Sequence, residues 1–128
     1  MVEQLLVAKI RSDSTITDLV GDRIYAGEKR QGESGTSIVY LMSAETPTST
    51  QSGICLYDTI MLFDCLADSY AKVRVLSKAL ALSLDRYDNV SSSDTEILIT
   101  RYKGIVDNSK EKDEESYHIV IEFHILNK

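Results

Sequence analysis

The run from Ile54 to Tyr87 constrains this chain more than any other stretch. Its first part, ICLYDTIMLFDCLA, reads as one long strand. Leu56, Ile60, Leu62 and Leu66 fall on one side, and Tyr57, Met61, Phe63 and both cysteines on the other. A strand apolar on both sides is central in its sheet or covered twice. Asp68 then stands as an N-cap, and SYAKVRVLSKALALSLDRY keeps helical periodicity for about five turns. Tyr70, Val73, Leu76, Leu80, Leu84 and Tyr87 form one stripe that can lie across a sheet. Val75 and Leu82, flanked by Ala79, point away from that stripe. The helix therefore needs a second cover, from N-terminal helices or from another subunit.

The segments on either side supply more strands and shorter helices. Val2, Leu5, Leu6, Lys9 and Ile10 have the spacing of a short amphipathic helix. Thr15 and Asp18 have capping-box spacing and predict a second helix carrying Ile16, Leu19 and Val20, stopped by Gly21. DRIYAG reads as a brief extended segment, and the polar stretch EKRQGESGTS as a loop. SIVYLMSAE is a strand, and TPTSTQSG, with the only proline, Pro47, is expected to break the chain before the central strand. DNVSSSD reads as a linker, followed by the strands TEILITRYKGIV and YHIVIEFHIL. In the last strand Ile119, Ile121, Phe123 and Ile125 alternate with His118, Glu122 and His124. The intervening DNSKEKDEES is too polar to pack and too long for a tight hairpin. This order predicts an α+β fold: a mostly antiparallel sheet of four to five strands, with one long helix and short N-terminal helices packed on it.

The 128 residues suit one domain, 1–128, and 43% hydrophobic content is enough to fill its core. No run approaches a membrane span and the N-terminus lacks a secretory pattern, so a soluble protein made in the cytoplasm is expected. A net charge of −6 disfavours wrapping nucleic acid as the main task. Cys55 and Cys65, ten residues apart on one strand, would lie roughly 33 Å apart, too far for a disulfide. Both read as buried reduced thiols.

The candidate chemistry is thin. His118 and His124 share strand parity but lie roughly 20 Å apart, so one subunit cannot bring both to one ion, and they read as ordinary residues on a half-buried strand. Asp58 and Asp64 are equally far apart, beyond a two-carboxylate site, and are expected to mark the two ends of the strand or to meet basic partners such as Arg74 or Arg101. GESGTS lacks the lysine and the following helix of a phosphate-binding loop. No nucleophile–base pattern stands out, so the chain is expected not to be an enzyme and to need no cofactor or metal. Two features remain as interaction candidates. One is the pair of charged loops around Lys29 and Arg30 and around Lys110, Glu111 and Lys112; the other is the outer helix face at Val75 and Leu82.

A short helix, then ITDLVGDRIYAG, a polar loop, SIVYLMSAETPTSTQSG, a long strand leading into a helix, and a closing YHIVIEFHIL form a familiar series. It resembles the small tail-completion, or tail-terminator, proteins of long-tailed bacteriophages over nearly the whole length, most specifically at VGDRIY, Val20 to Tyr25. The resemblance implies a homo-oligomer, commonly a hexameric ring, in some cases monomeric until assembly. Such a ring stops polymerisation of the major tail tube protein and meets the head-tail connector or stopper protein, and DNA passes through it without specific binding. It also implies a place in the neck of the virion tail after synthesis in a host cytoplasm, with no membrane partner. Two other readings stay open: a head-side connector or stopper of the same neck, and an enzyme or small-ligand domain using the same sheet.

Overall fold

The structure, a computed structural model, describes residues 2–27, 35–49, 55–110 and 117–128. In chain order they form α1 (Val2–Ser12), α2 (Ser14–Val20), β1 (Ile24–Ala26), β2 (Ser37–Ser49), β3 (Cys55–Ala67), α3 (Tyr70–Leu84), β4 (Val90–Ser91), β5 (Glu96–Lys110) and β6 (Tyr117–Asn127). Among the described residues the strands make one sheet in the order β1-β2-β3-β6-β5-β4. β1 runs parallel to β2, and every other neighbouring pair is antiparallel. The α+β class agrees with the sequence reading. The sheet is larger than expected, six-stranded and mixed, because the brief extended segment at Ile24 pairs with β2 and two residues of the DNVSSSD linker pair with β5.

β3 is central, between β2 and β6, but the described helices cover only one of its faces. Met61, Phe63, Cys65 and Ala67 are buried on that face, with Ile119, Ile121, Phe123 and Ile125 of β6 beside them. Val73, Leu76, Leu80 and Leu84 of α3 close over them, and Leu6, Ile10, Ile16 and Val20 of α1 and α2 extend the same core. An aromatic row crosses four strands beneath the helices. Tyr40 lies 6.5 Å from Phe63, Phe63 meets Phe123 edge-on at 5.5 Å, and Tyr102 lies 5.5 Å from Phe123. Such pairs add about 0.5–1.5 kcal/mol each beyond the area they bury. On the opposite face Leu56, Ile60 and Leu62 are half-buried and Leu41 is exposed.

The helix ends differ in detail from the expected ones. Ser69, not Asp68, caps α3: its hydroxyl accepts a hydrogen bond from the Lys72 N–H at 3.2 Å, while Asp68 pairs with the Lys72 ammonium at 3.1 Å. α3 ends at Leu84, before Tyr87, which is half-buried and carries the Lys9 ammonium over its ring. α2 is capped by Asp13, whose carboxylate accepts from the Thr15 N–H at 3.0 Å, and not by a Thr15 capping box. Tyr70 is half exposed at the start of the α3 stripe, where it meets Tyr117 edge-on.

Within VGDRIY, Arg23 joins two elements. The guanidinium donates to the Thr36 carbonyl at 2.8 Å and to the Leu19 carbonyl at 3.4 Å, tying the end of α2 to the start of β2. The Arg23 carbonyl in turn accepts from the Ile38 N–H, which sets the parallel register of β1 on β2. Gly35 has φ +101°, and a Cβ there would lie 3.3 Å from the Arg23 Nε, so both conformation and space call for glycine.

Pro47 does not break the chain: β2 continues through it to Ser49, paired with β3. β1 covers only Ile38 to Tyr40, so β2 is an edge strand at Pro47, where a missing N–H is tolerated. Likewise Asp107 to Lys110, expected in a loop, continue β5 and pair with Tyr117 to Val120. A hairpin arm of this kind is held by backbone hydrogen bonds, which polar side chains do not prevent.

Candidate assembly surfaces

The candidate features are surfaces, and the sheet register decides where each one lies. Ser37 of β2, Leu66 of β3, His118 of β6 and Ser109 of β5 stand in one row across the sheet. The chain therefore enters β2 and turns from β5 to β6 at the same end, whereas Ser49 and Cys55 place the β2–β3 turn at the other. Of the two charged segments singled out in the sequence, only the one after β5 leaves from that end; the chain leaves parallel β1 at Gly27, beside Tyr40 and heading away from it. Lys29, Arg30, Glu111 and Lys112 themselves lie outside the described residues. Lys110 is the last residue of β5, opposite Tyr117, with its side chain outside the description.

Val75 and Leu82 are 55% and 75% exposed, so α1 and α2 do not provide the second cover that their apolar character calls for. With Ala79 and Lys78 they line an open groove of about 300 Å³, bounded on the α2 side by Asp13 and Thr15. The groove wall is mostly aliphatic with one carboxylate and one ammonium at its rim. Sequence reasoning identified the two apolar residues. It missed Asp13 and Lys78 because the meeting of α2 with α3 is a tertiary fact.

A second exposed apolar patch lies on the β5 arm. Ile105 and Val106 are 42% and 53% exposed. β5 is irregular here, with register shifts around Leu98, Lys103 and Val106 and a positive φ at Gly104. Bulges at a sheet edge re-aim side chains and discourage strand addition. Further back, the edge of β5 is already occupied. The Arg86 N–H donates to the Thr100 carbonyl, Asp88 accepts from the Thr100 N–H at 2.9 Å, and Asp85 accepts from the Tyr102 N–H at 3.0 Å. Arg101 pairs with Asp88 at 2.9 Å, and this contact with the hydrogen bond from Thr100 holds the Asp88 carboxyl below the usual carboxylate range.

Asp58 and Asp64 lie toward the two ends of β3, and of the two readings it is the pairing with Arg74 or Arg101 that is corrected. Arg101 is engaged by Asp88, Asp64 meets His118, and Asp58 is exposed. His118 is almost enclosed, with Nδ1 3.2 Å from Asp64 on β3 and Nε2 3.7 Å from Asp107 on β5. It therefore links three strands, a role that depends on register and leaves no trace in a single-strand reading. Only the Asp64 contact is within hydrogen-bond distance. His124 is more open and lies 3.2 Å from Glu122 on its own strand. Cys65 is fully buried, and that burial pushes its thiol pKa strongly upward and keeps it protonated. Cys55 falls on β3 with its side chain outside the description.

A second cleft of about 320 Å³ lies beside Lys128, lined by Glu3, Met42, Glu45, Tyr57 and Thr95 among others, and its wall mixes polar and apolar groups. Among the described residues no helix is long and apolar enough to cross a membrane.

No protein-family model and no curated protein matches the sequence. Among solved structures, the fold is similar to that of a chain from the virion of a native gene transfer agent particle. The TM-score is 0.77 over 95% of this chain and 90% of that one, at 14% sequence identity.

Proposed function

We propose that this chain is a structural protein of a phage-like particle, and that it acts as a tail-completion or tail-terminator subunit. In this reading copies close into a ring, commonly hexameric in the proteins it resembles. The ring caps the head-proximal end of the tail tube, stops addition of tube protein, and offers its other face to the head connector while DNA passes through. The observation that carries the reading is the whole-chain fold likeness to a virion component, which joins the resemblance around VGDRIY. The surfaces fit a ring subunit. Exposed apolar patches occur on α3 and on the β5 arm, and the charged segment that follows β5 leaves from one end of the sheet, where a ring face would meet its neighbour. No catalytic role enters this account.

Co-sedimentation tests it. The protein should travel with tails assembled without heads. Recovery only with filled heads lacking tails would transfer it to the connector side of the neck, and recovery with neither would remove the structural reading.

A further inference from the structure

The α3 groove and the β5 arm answer one another, and this step rests on the ring reading above. The groove presents Val75, Ala79 and Leu82 between Asp13 and Lys78. The arm presents Ile105 and Val106 between Lys103 and Asp107. Each is an exposed aliphatic patch flanked by one charge of each sign, so aliphatic can meet aliphatic while Lys103 faces Asp13 and Asp107 faces Lys78. We propose that the β5 arm of one copy seats Ile105 and Val106 in the α3 groove of the next copy of the same chain.

Placement supports a repeating contact. α2, which bounds the groove, packs against β2, while the arm belongs to β5 on the other side of the sheet's centre. One subunit therefore carries both halves of the contact on different surfaces. Such a contact is heterologous and propagates until the rotation closes a ring. The irregular edge of β5 decides the mode of docking. Three register shifts and a positive-φ glycine interrupt the regular ladder that strand addition needs, and Val106, at the last shift, is exposed. Side-chain insertion is the mode that remains. A groove of about 300 Å³ lies at the floor of the roughly 300–1,000 Å³ typical of small-molecule pockets, and its open, aliphatic wall suits a pair of branched side chains.

Disulfide trapping tests the contact on the full chain. In a Cys55→Ser background, Leu82→Cys combined with Val106→Cys is oxidised with diamide at high protein concentration, beside a control combining Leu82→Cys with Leu41→Cys. Cysteines bridge only when their Cβ atoms come within about 4.5 Å, so true neighbours are selected. The expected result is a ladder of dimer, trimer and larger species from the first pair and no ladder from the control. Equal ladders from both pairs, or none from the first, would overturn the contact. A lysine-reactive cross-linker on the wild-type chain separates the two levels of the account. Multimers there without a Leu82–Val106 ladder refute this contact and leave the ring standing, and no multimers by either route, with tail tubes added as a template, refute both.

Discussion

Replacing Phe123 with alanine examines the packing argument at its centre. Phe123 is fully buried on β6 and touches Phe63 edge-on and Tyr102 at a tilt, so it joins the two halves of the aromatic row. Truncation removes the transfer free energy of the ring and leaves a cavity that α3 and the flanking strands fill only in part. A loss of about 3–5 kcal/mol is expected for such a residue. Loss of two ring contacts, each about 0.5–1.5 kcal/mol, puts Phe123→Ala in the upper part of that range. The neighbouring His124→Ala is the control. Its side chain is 44% exposed and meets Glu122 on the same strand, so the change should stay within about 0.5 kcal/mol. Urea titrations followed by far-UV circular dichroism would give both values, with the Phe123→Ala midpoint far below wild type and that of His124→Ala close to it. Equal losses at the two positions would refute the assigned parity of β6 and with it the core described above.

Other expectations follow from single contacts. Asp88→Asn should cost about 1 kcal/mol, below the roughly 1.5–3 kcal/mol of a hydrogen bond to a charged group, because Asp88 and Arg101 are both partly open to solvent. Since folding lowers the Asp88 pKa, its contribution is full above the ordinary carboxylate pKa and fades as pH falls below it. The wild-type and Asp88→Asn stability curves should therefore converge in acid, and a constant gap would contradict the pairing. Arg23→Ala should lose about 1.5–3 kcal/mol through the Thr36 and Leu19 carbonyls, with Arg23→Lys recovering only part, read by thermal melts. Cys65 should resist thiol reagents in the native protein and react at the unfolding midpoint; rapid native labelling, mapped by mass spectrometry, would contradict its burial. Charge reversal at Lys110 and Lys112 should block tail joining and leave the melting temperature nearly unchanged.

What could be read from the sequence was what repeats along one element. The alternation of Ile119, Ile121, Phe123 and Ile125 and the spacing of Val73, Leu76, Leu80 and Leu84 report burial directly, because strand and helix periods project onto one face. Val75 and Leu82 were recognisable as outliers for the same reason. Features that need two elements to meet were hidden. β1 and β4 are strands because a neighbour pairs with them, not because of their three and two residues. The extension of β5 through Asp107 to Lys110 comes from backbone pairing with β6, to which polar composition is blind. The caps shifted by one or two residues because DS at Asp68–Ser69 and DST at Asp13–Thr15 offer adjacent groups of equal capping ability, and only local geometry chooses. The His118 contacts with Asp64 and Asp107, and the Asp13–Lys78 rim of the groove, depend in the same way on register and helix docking.

The ring is the central claim, and imaging of tube ends addresses it most directly. Tail tubes assembled from the particle's own tube protein would be incubated with the chain, purified from excess, and their ends reconstructed by cryo-electron microscopy. The account predicts one closed ring of this chain at one end only, no further tube growth from that end, and the β5 arm of each copy against α3 of the next. Bare ends, density along the tube wall, or continued growth past the added protein would contradict it.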